Sequence, residues 1–459
     1  MTQGYDAPPP GDTAAYSGRV SRDSTALFTD QYELTMLSAA LADGSAHRRC
    51  SFEVFARRLP DGRRYGVVAG TARLVAALSN FRFGEPELEI VSRFLDDATV
   101  AWLRDYRFSG DIDGYREGDF YFPGSPILSV RGTFAECVLL ETLILSILNH
   151  DSAIASAAAR MVSAADGRPM IEMGSRRTHE ESAVAASRAA YLAGFTATSN
   201  LEAVRRHGVP GAGTSAHAFT LLHTTPDGPD EAAAFRAQVA ALGVGTTLLV
   251  DTYDITAGVE TAVEAAGPGL GGVRIDSGDL GVLARQVRGQ LDGLGATGTK
   301  IVVSGDLDEY AIAALRAEPV DVYGVGTSVV VGSGAPTAGM VYKLVEVDGI
   351  PVEKRSSNKA SRGGVKKAVR FARDTGTLVE EVVYPAHSNA PGAAGLEATA
   401  LLVPLVRGGA TACGATTLED SRSLLAAGLV SLPWEGLKLS HGEPVVPVRF
   451  AEPESRRAP

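Results

Sequence analysis

Arg274 is the residue that most clearly indicates a binding site, because it is a charge within an apolar segment. It lies in Gly272–Ile275, which is typical of a short buried strand, and Asp276 follows directly. A Ser-Gly-Asp-Leu turn comes next, and an identical turn follows the apolar residues 301–303. The turn aspartates could simply cap helices, but capping does not explain an arginine at the mouth of a strand. We therefore predict two neighbouring strand-to-helix loops at the end of a barrel where such folds build their sites.

Three further segments carry residues suited to nucleophilic and phosphate chemistry. His217 follows a glycine-containing loop, and Asp251 comes directly after the next apolar segment. A carboxylate on a neighbouring barrel strand can hydrogen-bond a histidine ring and fix its tautomer, although a helix cap is an equal alternative for Asp251. Gly326 and Thr327 follow the last apolar segment among other glycines. Such backbone at the last loops of a barrel suits a phosphate.

Two arginines precede another predicted helix. Arg176 and Arg177 stand just ahead of Thr178 and Glu181, whose spacing predicts a capping box at the helix start. Cations there would help a helix N-terminus to hold an anion, and an exposed arginine pair is the equal alternative. The chain has no Walker A sequence and no HExxH zinc motif. From the residues alone we predict a barrel enzyme that acts on a phosphorylated, anionic substrate.

The alternation of apolar and helical segments supplies the elements that would position these residues. Apolar segments of about five residues alternate with helical segments of about 10 to 15, which is the signature of parallel βα units. Seven strands are predicted, at residues 169–173, 195–198, 209–212, 246–250, 272–275, 300–303 and 320–325. The pattern suggests an α/β barrel that could be incomplete, and a doubly wound open sheet remains an alternative.

Composition divides the chain into four parts. Residues 1–22 are rich in Pro, Gly, Ser and Thr and are predicted to be disordered. Residues 23–150 combine helices with short strands and turns. Residues 151–338 contain the barrel pattern, and residues 339–459 return to β-rich segments.

Local signals refine these parts. Thr29 is predicted to cap the first helix, and Asp348-Gly349 between apolar runs predicts a hairpin. Two helices, at 134–148 and about 151–165, are predicted to close the first region. The run 134–148 is shorter than the roughly 20 residues of a membrane span, so it is predicted to be a buried helix and no membrane span is expected.

Charge and cysteine content argue against several classes of protein. The 459 residues carry a formal net charge of −11, which argues against nonspecific nucleic-acid binding. Cys50, Cys137 and Cys413 are far apart and form no CxxC pair, so neither a disulfide framework nor a structural zinc site is expected. No signal sequence is recognised at the N-terminus, and a cytoplasmic location is expected.

Six motifs together identify a family resemblance. TDQYELTM, EMGSRR, GTSAHAF, LLVDTYD, GVRIDSGDL and YGVGTSVV occur in this order and spacing between about Thr29 and Lys354, and they resemble nicotinate phosphoribosyltransferase. The resemblance implies an irregular α/β barrel of the type II phosphoribosyltransferase kind. It also implies a second, mixed α/β domain, in which residues 339–459 pack with the N-terminal part. A homodimer with sites at the interface is implied, so that Tyr32 would reach into the partner's site.

The implied reaction joins nicotinate to 5-phosphoribosyl 1-diphosphate and releases diphosphate, with ATP hydrolysis coupled through a phosphohistidine. On the matching motifs, His217 would be the phosphorylated histidine and Asp251 its partner. Arg176 and Lys343, with Mg²⁺, would stabilise the leaving diphosphate. Arg274 would hold the pyridine carboxylate. The other implied substrate contacts are Tyr32 stacked on the ring, Thr214 and Asp276 nearby, and Gly305, Asp306, Gly326 and Thr327 around the ribose and its phosphate.

Substrate choice and competing functions can be weighed on single positions. Ser199 stands where the related nicotinamide enzyme has an aspartate, which favours the acid over the amide. A quinolinate enzyme would lack the histidine–aspartate pair, and a non-catalytic sensor would have lost His217 or Asp251. A barrel aldolase would need a Schiff-base lysine, and Lys300 opens its strand at the wrong end. The chain departs from the family at 361–366, where an expected Pro-Gly turn is absent, and the lone Cys413 excludes the zinc knuckle of some relatives.

Overall fold

Two sheets organise the protein. The structure is a computed structural model that describes residues 24–354, 362–412 and 417–451. The tail 1–22, Cys413 and the first residue of the 361–366 departure lie outside these residues, so the predictions made for them stay predictions.

The first sheet, here called the barrel sheet, is entirely parallel. Its six strands lie in the spatial order Thr247–Leu249, Gly272–Ile275, Lys300–Val303, Val322–Val325, Met170–Glu172 and Ala197–Thr198. The predicted seventh strand at 209–212 was wrong, because only Gly211 forms a bridge, to Thr198. Pro210 has no N–H to donate to a ladder. No described pairing joins Gly211 to the far edge of the sheet, so the sheet is a curled, incomplete barrel. The predicted α/β barrel fold of the type II phosphoribosyltransferase kind is confirmed.

Helices follow the strands of the barrel sheet along the chain. They are Glu180–Leu192, Leu201–His207, His217–Leu222, Glu231–Leu242, Ile255–Ala266, Leu280–Gly293, Glu309–Ala314 and Thr327–Val330. Short polar side chains begin most of them: Asn200, Asp230, Asp254, Asp279 and Asp308 each accept a first-turn backbone N–H.

Two predicted caps of barrel helices were wrong. Asp306 has a φ of +45°, whereas a capping residue is normally extended, and Asp308 caps the helix instead. The predicted capping box is absent, because His179 is the N-cap and its Nδ1 accepts the backbone N–H of Glu181 at 3.3 Å.

The second sheet, here called the central sheet, joins distant parts of the chain. Its seven strands lie in the order Ile350–Pro351, Met340–Val347, Arg49–Ala56, Leu128–Thr133, Asp111–Gly114, Val403–Arg407 and Ala410–Thr411. Strands from beyond residue 339 therefore flank strands from the N-terminal part. The predicted hairpin turn is confirmed, with φ values of +50° at Asp348 and +77° at Gly349.

Smaller elements complete the fold. A third sheet contains Glu397–Ala400, Lys366–Ala372, Leu378–Pro385 and Val448–Phe450, and two further ladders pair Gly66–Val67 with Phe120–Tyr121 and Thr224–Thr225 with Gly228–Pro229. The remaining α-helices are Gln31–Asp43, Thr71–Ser79, Glu85–Val91, Asp97–Asp105, Phe134–Val138, Glu141–Ala165 and Leu418–Ser431. Single 3₁₀ turns lie at Ser45–His47, Ser175–Arg177, Leu315–Ala317, Gly332–Gly334 and Trp434–Leu437. The first helix is preceded by Asp30 rather than by the predicted cap Thr29, whose hydroxyl donates to Glu33.

The helix Glu141–Ala165 connects the two main cores. Its first half packs with the central sheet and its second half with the barrel sheet. The predicted break near residue 150 was wrong, because Asn149, His150 and Asp151 lie inside a continuous helix. Residues 134–165 are long and apolar enough to cross a membrane, but 67% of their most apolar window is buried within the protein. This burial is typical of a core helix.

A buried ion pair ties the N-terminal part to a barrel helix. Arg188 donates to both carboxylate oxygens of Glu117 at 2.9 and 2.7 Å, and the backbone N–H of Gly70 also donates to Glu117. Removing one partner would leave a buried charge without compensation, so we expect Glu117→Ala to lower the free energy of unfolding by about 3 to 5 kcal/mol. Urea unfolding measures this loss. The control is Glu202→Ala, which breaks partly exposed surface pairs with Arg205 and Arg206 and should cost about 1 kcal/mol or less. Equal losses in the two variants would contradict the expectation.

His207 makes stability depend on pH. Burial, followed by the charges of Arg188, Arg73 and Arg206, lowers its pKa to about 4. An unfolded histidine titrates near pH 6.5, so the unfolded chain binds more protons than the native chain between these values. Native stability is therefore lost as the pH falls from about 6.5 towards 4. We expect His207→Gln to reduce this loss by on the order of 1 to 3 kcal/mol. Urea unfolding of both proteins across this window measures the difference, and parallel pH profiles would contradict it.

Candidate active site

Arg274 is held by three side chains at the carboxyl end of the barrel sheet. Its Nε donates to Ser304 Oγ at 2.8 Å, Nη2 to Asp276 Oδ1 at 2.9 Å and Nη1 to Thr214 Oγ1 at 3.2 Å. The guanidinium side chain is only 11% exposed. Three predicted site residues, Arg274, Asp276 and Thr214, therefore lie together in the structure. Ser304 belongs to the same cluster, and sequence reasoning missed it.

Asp276 is ionised next to this arginine. Burial alone would raise the pKa of Asp276, but the hydrogen bonds from Ser304 and Arg274 outweigh burial and hold the pKa below its usual value. Arg274 and Asp276 therefore form a fixed pair of opposite charges.

His217 and Asp251 lie on adjacent loops but are not hydrogen-bonded to each other. Asp251 Oδ2 accepts the backbone N–H of Asp276 and the hydroxyl of Ser277, each at 2.8 Å. His217 Nδ1 instead lies 3.1 Å from the hydroxyl oxygen of Thr252. The predicted direct contact was therefore wrong, because the carboxylate turns towards the neighbouring loop and the next residue in the chain reaches the histidine.

Carboxyl oxygens without partners lie near this loop. Asp251 Oδ1 and Glu231 Oε1 are buried and have no hydrogen-bond partner among the described residues. Burial, followed by the charges of Asp251 and Asp254, raises the pKa of Glu231 to about 7. The described residues contain no group of three or more side chains arranged to hold a metal ion. A divalent cation that is bound mainly through substrate phosphates needs only one or two carboxylates, and the free oxygen of Asp251 fits that requirement.

The candidate phosphate loops pack closely on their neighbours. Gly305 has a φ of +106°, and a Cβ there would lie 2.4 Å from the carbonyl oxygen of Asp276, so only glycine fits. A Cβ on Gly174 would lie 2.8 Å from the carbonyl oxygen of Gly326. These contacts bring the loop of Gly305 and Asp306 beside Asp276, and the loop of Arg176 beside Gly326 and Thr327. Arg176 itself is exposed in the turn Ser175–Arg177.

Ser199 is exposed at the end of its strand, and its backbone N–H donates to the carbonyl of Glu172. The Glu172 side chain is fully buried and accepts from the backbone of Gly174 and the hydroxyls of Ser187 and Thr198. Sequence reasoning missed Glu172, whose role is to fix the strand ends that carry Arg176 and Ser199. The available signal in the sequence was a glutamate among the apolar residues 169–173, which indicates a buried acid with polar partners.

Tyr32 and Lys343 belong to a separate cluster on the central sheet. Lys343 Nζ lies 3.8 Å from Glu141 Oε1, and burial, followed by Glu141 and Glu33, raises the pKa of Tyr32. The Tyr32 side chain is nonetheless 46% exposed. No hydrogen bond or ion pair among the described residues joins this cluster to Arg274.

Comparison with known proteins gives a consistent result. The N-terminal domain of nicotinate phosphoribosyltransferase matches residues 27–149. Nicotinate phosphoribosyltransferase pncB1 of Mycobacterium tuberculosis is 66% identical over 445 residues, which cover 96% of this chain and 99% of that protein. The Bacillus subtilis nicotinate phosphoribosyltransferase is 37% identical over 366 residues, 76% of this chain and 74% of the relative. The crystal structure of human nicotinic acid phosphoribosyltransferase aligns with a TM-score of 0.79 at 28% identity, covering 92% of this chain and 97% of that chain. The chain therefore belongs to the nicotinate phosphoribosyltransferase family.

Proposed function

We propose that this protein transfers the phosphoribosyl group of 5-phosphoribosyl 1-diphosphate to nicotinate, forming nicotinate mononucleotide for NAD biosynthesis. The observation that carries the proposal is Arg274, a nearly buried cation held by Ser304 and Asp276 at the mouth of the barrel sheet. Such a guanidinium can bind the carboxylate of a flat aromatic acid through charge-assisted hydrogen bonds. The family of the chain supports the same substrate.

The phosphoribosyl donor would occupy the neighbouring loops. Gly305 and Asp306, with Gly326 and Thr327, would hold the ribose and its 5-phosphate. As the ribose–diphosphate bond breaks, negative charge builds on the leaving diphosphate, and Arg176 would stabilise that charge. The free oxygen of Asp251 would help to hold Mg²⁺, which would supply further positive charge beside the diphosphate. The orphaned oxygen of Asp251 supports this assignment.

ATP hydrolysis would be coupled to the transfer through His217. Its ring contacts Thr252, which orients it, and phosphorylation would place negative charge and acceptor oxygens next to the diphosphate site. Asp251 would act indirectly, because it holds the loop of Asp276 and Ser277 beside the histidine.

A homodimer would complete the site. Tyr32 is exposed for an aromatic side chain and has no described contact with the Arg274 cluster, so we propose that it stacks on nicotinate bound to the partner subunit. Lys343 belongs to the same cluster as Tyr32 and would reach the diphosphate in the same way. We place this activity in the cytoplasm, with no membrane or nucleic-acid partner.

Ser199 would favour the acid over the amide. Ser199 is exposed, and the next residue, Asn200, donates to Ser175 beside Arg176 at 3.0 Å. A neutral hydroxyl at position 199 does not repel a carboxylate, whereas an aspartate would.

The test is product formation from 5-phosphoribosyl 1-diphosphate and Mg²⁺ with nicotinate, nicotinamide or quinolinate, each with and without ATP. We expect nicotinate mononucleotide to form fastest, faster with ATP than without it, with ADP released alongside. Product formed from nicotinamide or quinolinate but not from nicotinate would overturn the substrate assignment. No product from any pyridine would favour a ligand-binding sensor instead.

A further inference from the structure

Ser304 makes two hydrogen bonds that connect the opposite charges of the site. Its Oγ accepts from Arg274 Nε at 2.8 Å and donates to Asp276 Oδ1. The same Asp276 oxygen accepts from Arg274 Nη2 at 2.9 Å. Three groups therefore form a closed ring of contacts, in which the hydroxyl is the only uncharged member. Ser304 is 3% exposed, so water does not readily replace it.

The backbone holds Ser304 in this position. It directly follows the strand Lys300–Val303, and its backbone N–H donates to the carbonyl of Ile275 at 3.0 Å. Gly324 lies on the neighbouring strand, where a Cβ would come within 3.2 Å of Ser304 Cβ. The site has room for a serine-sized side chain, and its orientation is fixed by strands on both sides.

The two bonds control what each charged group can offer a ligand. Ser304 on Nε, Asp276 on Nη2 and Thr214 on Nη1 together hold the plane of the Arg274 guanidinium. The N–H groups that these contacts leave free can face a carboxylate. With Asp276 held against Arg274, that carboxylate is occupied by donors from the protein. Without the hydroxyl, Arg274 would lose its partner on Nε and be oriented less firmly by Thr214 and Asp276 alone. Asp276 would in turn be freer to accept the NH₂ of an amide.

We propose that Ser304 is a positioning residue that sets the preference of the site for an aromatic acid over the matching amide. The inference rests on the proposed function, in which Arg274 binds the nicotinate carboxylate. Ser304 acts through Arg274 and Asp276, and it does not need to touch the substrate.

The experiment compares Ser304→Ala and Ser304→Cys with the parent protein. KM and kcat are measured for nicotinate, nicotinamide and 5-phosphoribosyl 1-diphosphate. We expect Ser304→Ala to raise the KM for nicotinate by about tenfold, which is the scale of the single bond that orients Arg274. The kcat and the KM of the phosphoribosyl donor should change less than about threefold. The ratio of kcat/KM for nicotinate to that for nicotinamide should fall at least tenfold. Ser304→Cys, whose thiol is a weak donor and acceptor, should give an intermediate value.

Ser146→Ala is the control, because Ser146 is an exposed serine away from Arg274 whose hydroxyl donates to the carbonyl of Leu143 in its own helix at 3.1 Å. It should leave every constant unchanged. The inference would be overturned if Ser304→Ala and Ser304→Cys kept the parent ratio of kcat/KM for nicotinate to kcat/KM for nicotinamide. An equal rise in the KM for nicotinate and the KM for nicotinamide would also overturn it. If Ser304→Ala does not fold, the inference is tested by the ratio of kcat/KM for nicotinate to kcat/KM for nicotinamide in Ser304→Cys alone. Failure of the proposed function is distinguishable, because the parent protein would then not convert nicotinate.

Discussion

Arg274→Ala is expected to raise the KM for nicotinate by about 100-fold or more, while the KM for 5-phosphoribosyl 1-diphosphate changes less than about threefold. Hydrogen bonds to a charged group each contribute about 1.5 to 3 kcal/mol, and a carboxylate facing a guanidinium can make two of them. Ser304 directly precedes Gly305 and bonds Arg274, but the residues proposed to hold the phosphoribosyl group make no described hydrogen bond with the Arg274 side chain. The donor should therefore bind nearly as before. Steady-state kinetics with each substrate varied in turn measures both constants.

Two further variants separate binding from stability. Arg274→Ala leaves Asp276 without its cation, so Arg274→Lys is included to keep the charge while losing the planar arrangement of donors. We expect Arg274→Lys to restore part of the affinity for nicotinate but not all of it. Arg285→Ala is the matched control, since Arg285 is an exposed arginine on the following helix that pairs with Glu318. Equal increases in both KM values for Arg274→Ala would contradict the assignment of Arg274 to the carboxylate.

The ends of the barrel strands could be predicted from the sequence because the signals are local. An apolar segment followed by Ser-Gly-Asp-Leu fixes where a strand stops and a helix starts, and both such turns lie where expected, after Gly272–Ile275 and Lys300–Val303. The arginine inside the first of these strands stood out for the same reason, since charge is unusual there. These signals were sufficient to bring Arg274, Asp276 and Gly305 to one edge of the sheet.

The partners of these residues could not be predicted, because they depend on side-chain direction across neighbouring loops. Ser304 and Ser277 occupy the same place in the two Ser-Gly-Asp-Leu turns, yet Ser304 bonds Arg274 and Ser277 bonds Asp251. The sequence likewise does not distinguish Asp251 from Thr252 as the neighbour of His217. Which of these two side chains faces His217 depends on the direction of the backbone after the strand, and the sequence pattern does not specify that direction.

Residues far apart in the chain explain the remaining differences. The helix Glu141–Ala165 was predicted as two helices because Asn149, His150 and Asp151 form a polar interruption in an apolar run. Asp151 is fully buried, however, and Arg73 donates to both of its carboxylate oxygens at 2.7 Å. A cation from residue 73 satisfies this acid, so the helix continues through it.

His217→Ala is expected to abolish the stimulation of product formation by ATP, so that the rate with ATP falls to the rate without it. The variant removes the only group proposed to carry the phosphoryl group. The fold should persist, because the described hydrogen bond of the His217 ring is a single contact with the hydroxyl of half-buried Thr252. Product formation is measured with and without ATP, together with ADP release and thermal unfolding.

His223→Ala is the matched control, because His223 is a half-buried histidine close to the same helix whose ring bonds the carbonyl of Phe219 at 2.9 Å. It should keep the stimulation by ATP. The parent protein and His223→Ala should also take up an acid-labile, base-stable label from the γ-phosphate of ATP, and His217→Ala should not. Stimulation retained in His217→Ala would remove this histidine from the coupling. Loss of stimulation with the label retained would place the phosphoryl group on another residue, while the Arg274 assignment would stand, since it depends only on the carboxylate of the pyridine.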